Sequence, residues 1–242
     1  MRKRVCAAWA CLFLLPFLSG VEAAQSENSC VNCHRDLPAN TFIGAKYQSW
    51  KESLHAREMI TCDRCHGGNP SAAQKETAHT GVYNSGNSSS RIYYKNVPGT
   101  CGACHRRDYN FFTRSAHYAF LEKTGAGPTC VTCHESHSTR IISPQQLPAT
   151  CEQCHNERRG IKPQVPAQAQ ILLLAIDETS LLARVGREQG SKSDPKRIKE
   201  WREISGLMGT IRDEWHAFNL GQVQKGIFQV YDRIKRLLLQ EK

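Results

Sequence analysis

The chain has 242 residues, 40% of them apolar, a formal charge of +10 and twelve cysteines. The apolar share is low for a large conventional core, so the fold must draw stability from something else. Ten cysteines fall in paired motifs and the other two, Cys6 and Cys11, lie near the N-terminus, which leaves no thiol for a disulfide or a nucleophile.

Residues 1–23 read as an export leader. Met1-Arg-Lys-Arg4 is basic, Val5 to Leu18 is apolar with Pro16 inside it, and Val21-Glu-Ala23 fits a small-residue cleavage site. The mature protein is therefore expected in the periplasm. The alternative is an uncleaved membrane anchor, but the apolar run is shorter than the ~20 residues a span needs. Cys11 lies inside the apolar run instead of after it, which argues against lipoprotein processing.

Residues 24–160 carry five Cys-x-x-Cys-His motifs: Cys30/Cys33/His34, Cys62/Cys65/His66, Cys101/Cys104/His105, Cys130/Cys133/His134 and Cys151/Cys154/His155. Each is an attachment site for one c-type haem. Two thiols three residues apart share one side of a helical turn, where both can form thioethers to the haem vinyls. The next histidine is then held against the iron. Zinc is the rival, but zinc does not require a histidine after the second cysteine. Given ten histidines in 242 residues, a chance match at all five places is about one in ten million.

Five haems over this stretch leave about 26 residues for each, too few for separate cores, so the haems must pack together. Motif starts are 32, 39, 29 and 21 residues apart, which is not a solenoid period. Pro98-Gly-Thr-Cys101, Pro128-Thr-Cys130 and Pro148-Ala-Thr-Cys151 share a proline-then-threonine approach, with the threonine expected to cap the motif helix. Trp50 to Ala56 and Phe112 to Ala119 share an aromatic residue followed by Ser-x-His with an alanine just beyond. Tyr83 to Arg91 reads as a surface loop.

The positive charge does not indicate nucleic acid. Without residues 1–23 it falls to +8. Five haems, each with two propionates and an oxidised core of about one positive charge, add about −5. A basic docking patch for an acidic redox partner remains in keeping with this balance.

Beyond the motif histidines stand five others: His55, His79, His117, His137 and His216. Five haems and five further histidines suggest that every iron has two imidazoles. Such irons have no open position, and they pass electrons without binding substrate. His137, three residues after His134, would sit on the same helical turn and reach a neighbouring haem. His216 lies on an apolar helix face, where a histidine is ordinarily a core residue, yet Trp215 and Phe218 flank it. Met59 and Met208 are the substitute ligands.

Ile161-Lys-Pro-Gln-Val-Pro166 marks a boundary, and residues 161–242 turn helical. Ile171, Leu174, Leu181 and Val185 give one amphipathic stripe, and Asp194-Pro195 opens another helix. From His216, the series Leu220, Val223, Ile227, Val230, Ile234 and Leu237 forms a coiled-coil seam, weakened locally by Gly221 and Gly226. The expectation is an antiparallel helical hairpin that covers the haems or forms a homo-oligomer contact.

Residues 30–155 resemble periplasmic multihaem c-type cytochromes. Cys130-Val-Thr-Cys-His-Glu-Ser-His137 resembles the doubled-motif class, in which the extra histidine ligates a different haem. The Trp50 segment is similar to one that supplies a distal ligand in quinol-oxidising tetrahaem cytochromes. The C-terminal helices resemble those of cytochrome c nitrite reductases and hydroxylamine oxidoreductases, but the Cys-x-x-Cys-Lys motif of the former is missing and the haem count is below that of octahaem enzymes. The expected fold is mainly α with little regular structure, organised around five packed haems and followed by the C-terminal hairpin. The expected function is periplasmic electron transfer between redox proteins, from a quinol dehydrogenase to a terminal reductase or outer-membrane conduit. One alternative is an enzyme with a five-coordinate haem acting on a small nitrogen or sulfur compound. A second is a membrane-anchored quinol-oxidising subunit.

Overall fold

The structure, a computed structural model, describes residues 28–189 and 194–239; the leader, residues 1–23, lies outside them. The fold is mainly α, and among the described residues there is no strand. Short helices alternate with turns through the motif region, and long helices follow.

Three motifs lie wholly on short helices: α1 (Ser29–His34), α4 (Cys62–His66) and α9 (Cys130–His134). In between come α2 (Phe42–Lys51), α3 (Leu54–Arg57), α5 (Lys75–Ala78), α6 (Val97–Gly102), α7 (Arg106–Phe112) and α8 (Ala116–Thr124), and α10 (Leu147–Glu152) carries Cys151. Helices α6 and α10 end inside their motifs, yet the turn closes. The amides of His105 and His155 donate to the carbonyls of Cys101 and Cys151 at 2.9 and 2.8 Å. All five motifs thus present both thiols and the histidine on one turn.

Threonine caps only part of this set. Thr129 occupies the N-cap of α9, where its amide donates to Thr132 Oγ1 at 3.0 Å. Thr100 and Thr150 lie inside α6 and α10, because those helices begin earlier with proline in the first turn. Proline costs nothing there, where its missing N–H has no helical partner anyway. The Tyr83–Arg91 stretch is a surface loop, exposed at every residue but Ser90, whose hydroxyl donates to the carbonyl of Tyr83 and pins the loop.

The C-terminal region holds three long helices, one more than a hairpin: α11 (Val165–Gln189), α12 (Pro195–His216) and α13 (Leu220–Leu239). The Asp194 carboxylate caps α12 by accepting from the Lys196 amide at 2.9 Å. The seam on α13 packs as its spacing requires, with Val223, Ile227, Val230, Ile234 and Leu237 buried against Trp201, Ile204 and Ile211 of α12. Gly226 belongs to this contact, since a Cβ there would stand 2.6 Å from Ile211 Cγ1. The two helices approach closely because that side chain is missing.

Helix α11 turns a different face inward from the one its periodicity suggested. Leu172, Ala175, Ile176, Leu182 and Ala183 pack on the bundle core, while Ile171, Leu174, Leu181 and Val185 are exposed. Residues 171–176 are all apolar, so periodicity offers two overlapping stripes, and contact with α12 and α13 selects between them. The continuous apolar core lies in this bundle. The motif region contributes buried apolar side chains only at scattered points such as Val97, Phe112, Leu121 and Leu147.

The bundle docks on the motif region through α7 and α12. Arg107 donates from Nε and Nη2 to the two carboxylate oxygens of Asp213, at 2.7 and 2.6 Å. Asp213 is only 6% exposed. A two-pronged pair of this kind fixes both distance and angle between the helices.

Candidate functional site

The ten histidines converge in five pairs, each joining one motif histidine to one of the other five. Ring centres of His34 and His79 are 6.1 Å apart, of His66 and His137 5.9 Å, and of His105 and His55 6.0 Å. Those of His134 and His216 are 6.4 Å apart, and those of His155 and His117 5.8 Å. Metal–imidazole bonds are about 2.0–2.1 Å and each ring centre lies roughly 1 Å behind its nitrogen, so one iron between two rings sets their centres about 6 Å apart. All five separations match that span.

The tautomers suit the same purpose. His79 Nδ1 lies 2.8 Å from the Lys75 carbonyl, His155 Nδ1 3.0 Å from that of Ile161, and His216 Nδ1 2.8 Å from that of Arg212. A carbonyl only accepts, so each Nδ1 carries the proton and each Nε2 keeps a free lone pair. His137 Nδ1 is 2.9 Å from the Ser136 hydroxyl. In the fifth pair the two Nε2 atoms face each other at 3.5 Å.

Local sequence explains how each distal ring is aimed. Ser53 and Ser115 are buried N-caps whose hydroxyls accept the amides of Ala56 and Tyr118, each at 3.1 Å. His55 and His117 therefore occupy the same place in the first turn of α3 and α8, which is the physical content of the repeated Ser-x-His. His79 is returned toward motif one by a tight turn at Gly68, whose φ is +91° and whose absent Cβ would meet the Ala78 carbonyl at 2.6 Å. His137 does not share a helical turn with His134. Helix α9 ends at His134, and Glu135, at φ 57°, swings the chain so that His137 faces His66.

His216, the last residue of α12, comes from the bundle. Beside it Phe218 stands edge-on over His117, with ring centres 4.2 Å apart. One turn of chain thus supplies a member of the fourth pair and a wall of the fifth. The alternative sulfur ligands are elsewhere: Met59 is 75% exposed, and Met208 packs on the bundle core.

The thiols are less evenly enclosed than a set of tightly packed attachment sites would suggest. In motifs two and four both are half-buried: Cys62 with Cys65, and Cys130 with Cys133. In motifs one, three and five only the first thiol is half-buried, Cys30, Cys101 and Cys151, while the second, Cys33, Cys104 and Cys154, is exposed. Cys104 and Cys154 lie beyond the ends of α6 and α10, while Cys33 lies in the last turn of α1 just as the half-buried Cys65 and Cys133 lie in those of α4 and α9, so helix position alone does not set exposure. Helix α9 packs on both α6 and α10, so neighbouring chain covers the thiols of motif four. Exposure of Cys33, Cys104 and Cys154 leaves the motif geometry intact, since both thiols of each pair still share one turn.

Burial favours the neutral form of six of the rings, His34, His55, His66, His117, His134 and His137. Burial, then the facing imidazole, hold His34, His55 and His134 below the usual range. His117 and His137 are pushed down to about 4. A neutral imidazole is the form that binds metal. Two enclosed thiols move the other way, and burial pushes Cys62 and Cys133 up to about 11, while a hydrogen bond with Cys101 holds Cys130 below its ordinary value. A nucleophilic cysteine needs the shift opposite to that of Cys62 and Cys133. The ten described cysteines form no disulfide. Among the described residues no three His, Cys, Asp or Glu side chains gather as a metal cage; the histidines converge in twos.

Two further side chains matter here, Asp108 and Asp213, and neither carries a signal in the sequence. Both act through neighbours distant in the chain, and no local motif announces them.

The chain is similar to the multiheme cytochrome MtrA of Shewanella baltica (strain OS185), at 29% identity over 145 residues. The match covers 58% of this chain and 35% of that protein, so the chain spans about a third of its relative's length. No family model matches the sequence, and no solved structure matches it. Among the described residues no helix is long and apolar enough to cross a membrane.

Proposed function

We propose that this chain is a periplasmic electron-transfer protein holding five covalent c-type haems, each ligated by two histidines. The observation that carries the reading is the pairing of every motif histidine with one further histidine at a spacing of 5.8–6.4 Å. The haems supply one-electron exchange between ferric and ferrous iron. The cysteines would tether them and the ten histidines would ligate the irons, while the backbone carbonyls behind Nδ1 of His79, His155 and His216 hold those three rings in place.

The motif helices also favour a relay in chain order. Asn28 Nδ2 donates to Asp63 Oδ1 at 2.8 Å, tying motif one to motif two. Cys65 lies within electrostatic reach of Cys101 and Cys104. Helix α6 packs on α9, and α9 on α10. Electrons would enter and leave at the two ends of the row, exchanged with a quinol dehydrogenase on one side and a reductase, outer-membrane conduit or other cytochrome on the other.

Intact mass and electron paramagnetic resonance of the oxidised holoprotein test the reading. Five haems and only low-spin ferric signals are expected, with a mass that lacks the leader. A stoichiometric high-spin signal would overturn complete bis-histidine ligation and favour an enzyme with one open iron. Retention of the leader would favour a membrane-anchored quinol-oxidising subunit.

A further inference from the structure

One carboxylate lies between two of the five pairs. Asp108, in the first turn of α7, follows His105 by three residues and faces the C-terminal turn of α12. Its Oδ2 is 3.9 Å from His105 Nδ1, and its Oδ1 is 3.6 Å from His216 Nδ1. His105 pairs with His55, while His216 pairs with His134. The Asp108 carboxylate therefore stands behind imidazoles assigned to two different haems.

Its surroundings keep that charge directed inward. Oδ1 is buried and accepts no hydrogen bond, and Arg212 Nε lies 3.7 Å from it as a counter-ion. The nearby Arg107 is already committed to Asp213. Cys130 and His134, both of the fourth motif, also feel the Asp108 charge. The Asp108 side chain is 29% exposed, but Oδ1, the oxygen nearer His216, is buried, and a charge there acts more strongly than one in open water.

We infer that Asp108 is a shared positioning residue for His105 and His216 that lowers the reduction potentials of the third and fourth haems together. The inference rests on the bis-histidine reading above. A negative charge behind Nδ1 holds the ring orientation and makes the imidazole a stronger donor. It also stabilises ferric iron more than ferrous, because the ferric centre carries one more positive charge. One carboxylate common to both sites moves both potentials the same way, so exchange between these two haems stays close to balanced.

The test is a potentiometric titration of the full-length holoprotein, followed optically and by low-temperature spectroscopy. Asp108→Asn is expected to raise two of the five potentials, each by about tenfold in the ferric-to-ferrous ratio or about 59 mV for a one-electron couple. The other three should not move. Arg212→Gln leaves the backbone carbonyl behind His216 intact and should shift the same two potentials downward. Unchanged potentials in Asp108→Asn, or an equal rise in all five, would overturn the inference. If Asp108→Asn does not assemble, Arg212→Gln decides, and the absence of a selective downward shift overturns it. A wild-type protein with fewer than five haems or with a high-spin haem would instead overturn the ligation reading beneath it.

Discussion

The rings of His134 and His216 face each other with centres 6.4 Å apart and planes only 15° from parallel. One belongs to a Cys-x-x-Cys-His motif and the other to the last turn of a bundle helix. The C-terminal helices therefore bring an imidazole up to a motif histidine as well as docking on the motif region. Replacing His216 by alanine should convert one haem in five to high spin and leave the others low spin. His216→Met should keep that haem low spin and raise its potential, since a thioether favours ferrous iron relative to imidazole. Magnetic resonance of the purified variants distinguishes these outcomes from a variant spectrum identical to wild type, which would remove His216 from the ligand set.

The fifth pair differs from the rest in orientation. His117 and His155 are inclined by 74°, whereas the other four pairs lie between 15° and 47°. Crossed imidazole planes leave two iron d orbitals nearly equal in energy, which makes the ferric signal strongly anisotropic. One haem in five should accordingly give a low-spin signal with a single very large g value, and four should give ordinary rhombic spectra. The signal should be lost selectively in His117→Ala. Five rhombic signals would contradict the crossed arrangement.

Two glycines of α13 should respond oppositely to alanine. At Gly226 the new methyl meets Ile211, so overpacking should destabilise the protein by about 1–3 kcal/mol. At Gly221 nothing lies within 4 Å of the added Cβ. There alanine should stabilise by roughly 0.5–1 kcal/mol through reduced freedom of the unfolded chain. Denaturant unfolding of the two variants checks the contrast, and equal effects would argue against the close contact of α12 and α13.

Acid should weaken the fold over a definite window. Burial and then the facing imidazole hold both His117 and His137 down at about 4, against an ordinary value of 6.5. Between these values the unfolded chain binds protons that the folded chain refuses. Stability fully present above pH 6.5 is therefore lost as the pH falls toward 4. Thermal unfolding midpoints should decline steadily from pH 7 to pH 4.5, together with a rise in high-spin signal as protons compete for the imidazoles. A flat profile over that range would refute the expectation.

Much of this was legible in the sequence because it is local. A Cys-x-x-Cys-His turn needs only one helical turn to place its three groups, and helices that end at Gly102 or Glu152 still close it. How far each thiol is covered was not legible, because the exposure of Cys33 and Cys154 depends on what packs beside their turns. The α13 seam was legible, since Val223, Ile227, Val230, Ile234 and Leu237 step by three and four along one face. On α11 periodicity pointed to Ile171 and Leu174, which are exposed, because apolar residues there surround the helix and only contact with neighbours chooses a face.

The chain alone supplies the inventory: ten histidines, half of them held beside a pair of thiols and half unassigned. Which ring meets which depends on turns whose effect is felt far along the chain. Gly68 returns His79 to His34, the left-handed Glu135 sends His137 to His66, and the docking of α12 through Arg107 and Asp213 carries His216 to His134. Spacing cannot encode these meetings, because packing between distant segments decides them. The same packing sets Asp108 between two imidazoles that no local pattern connects.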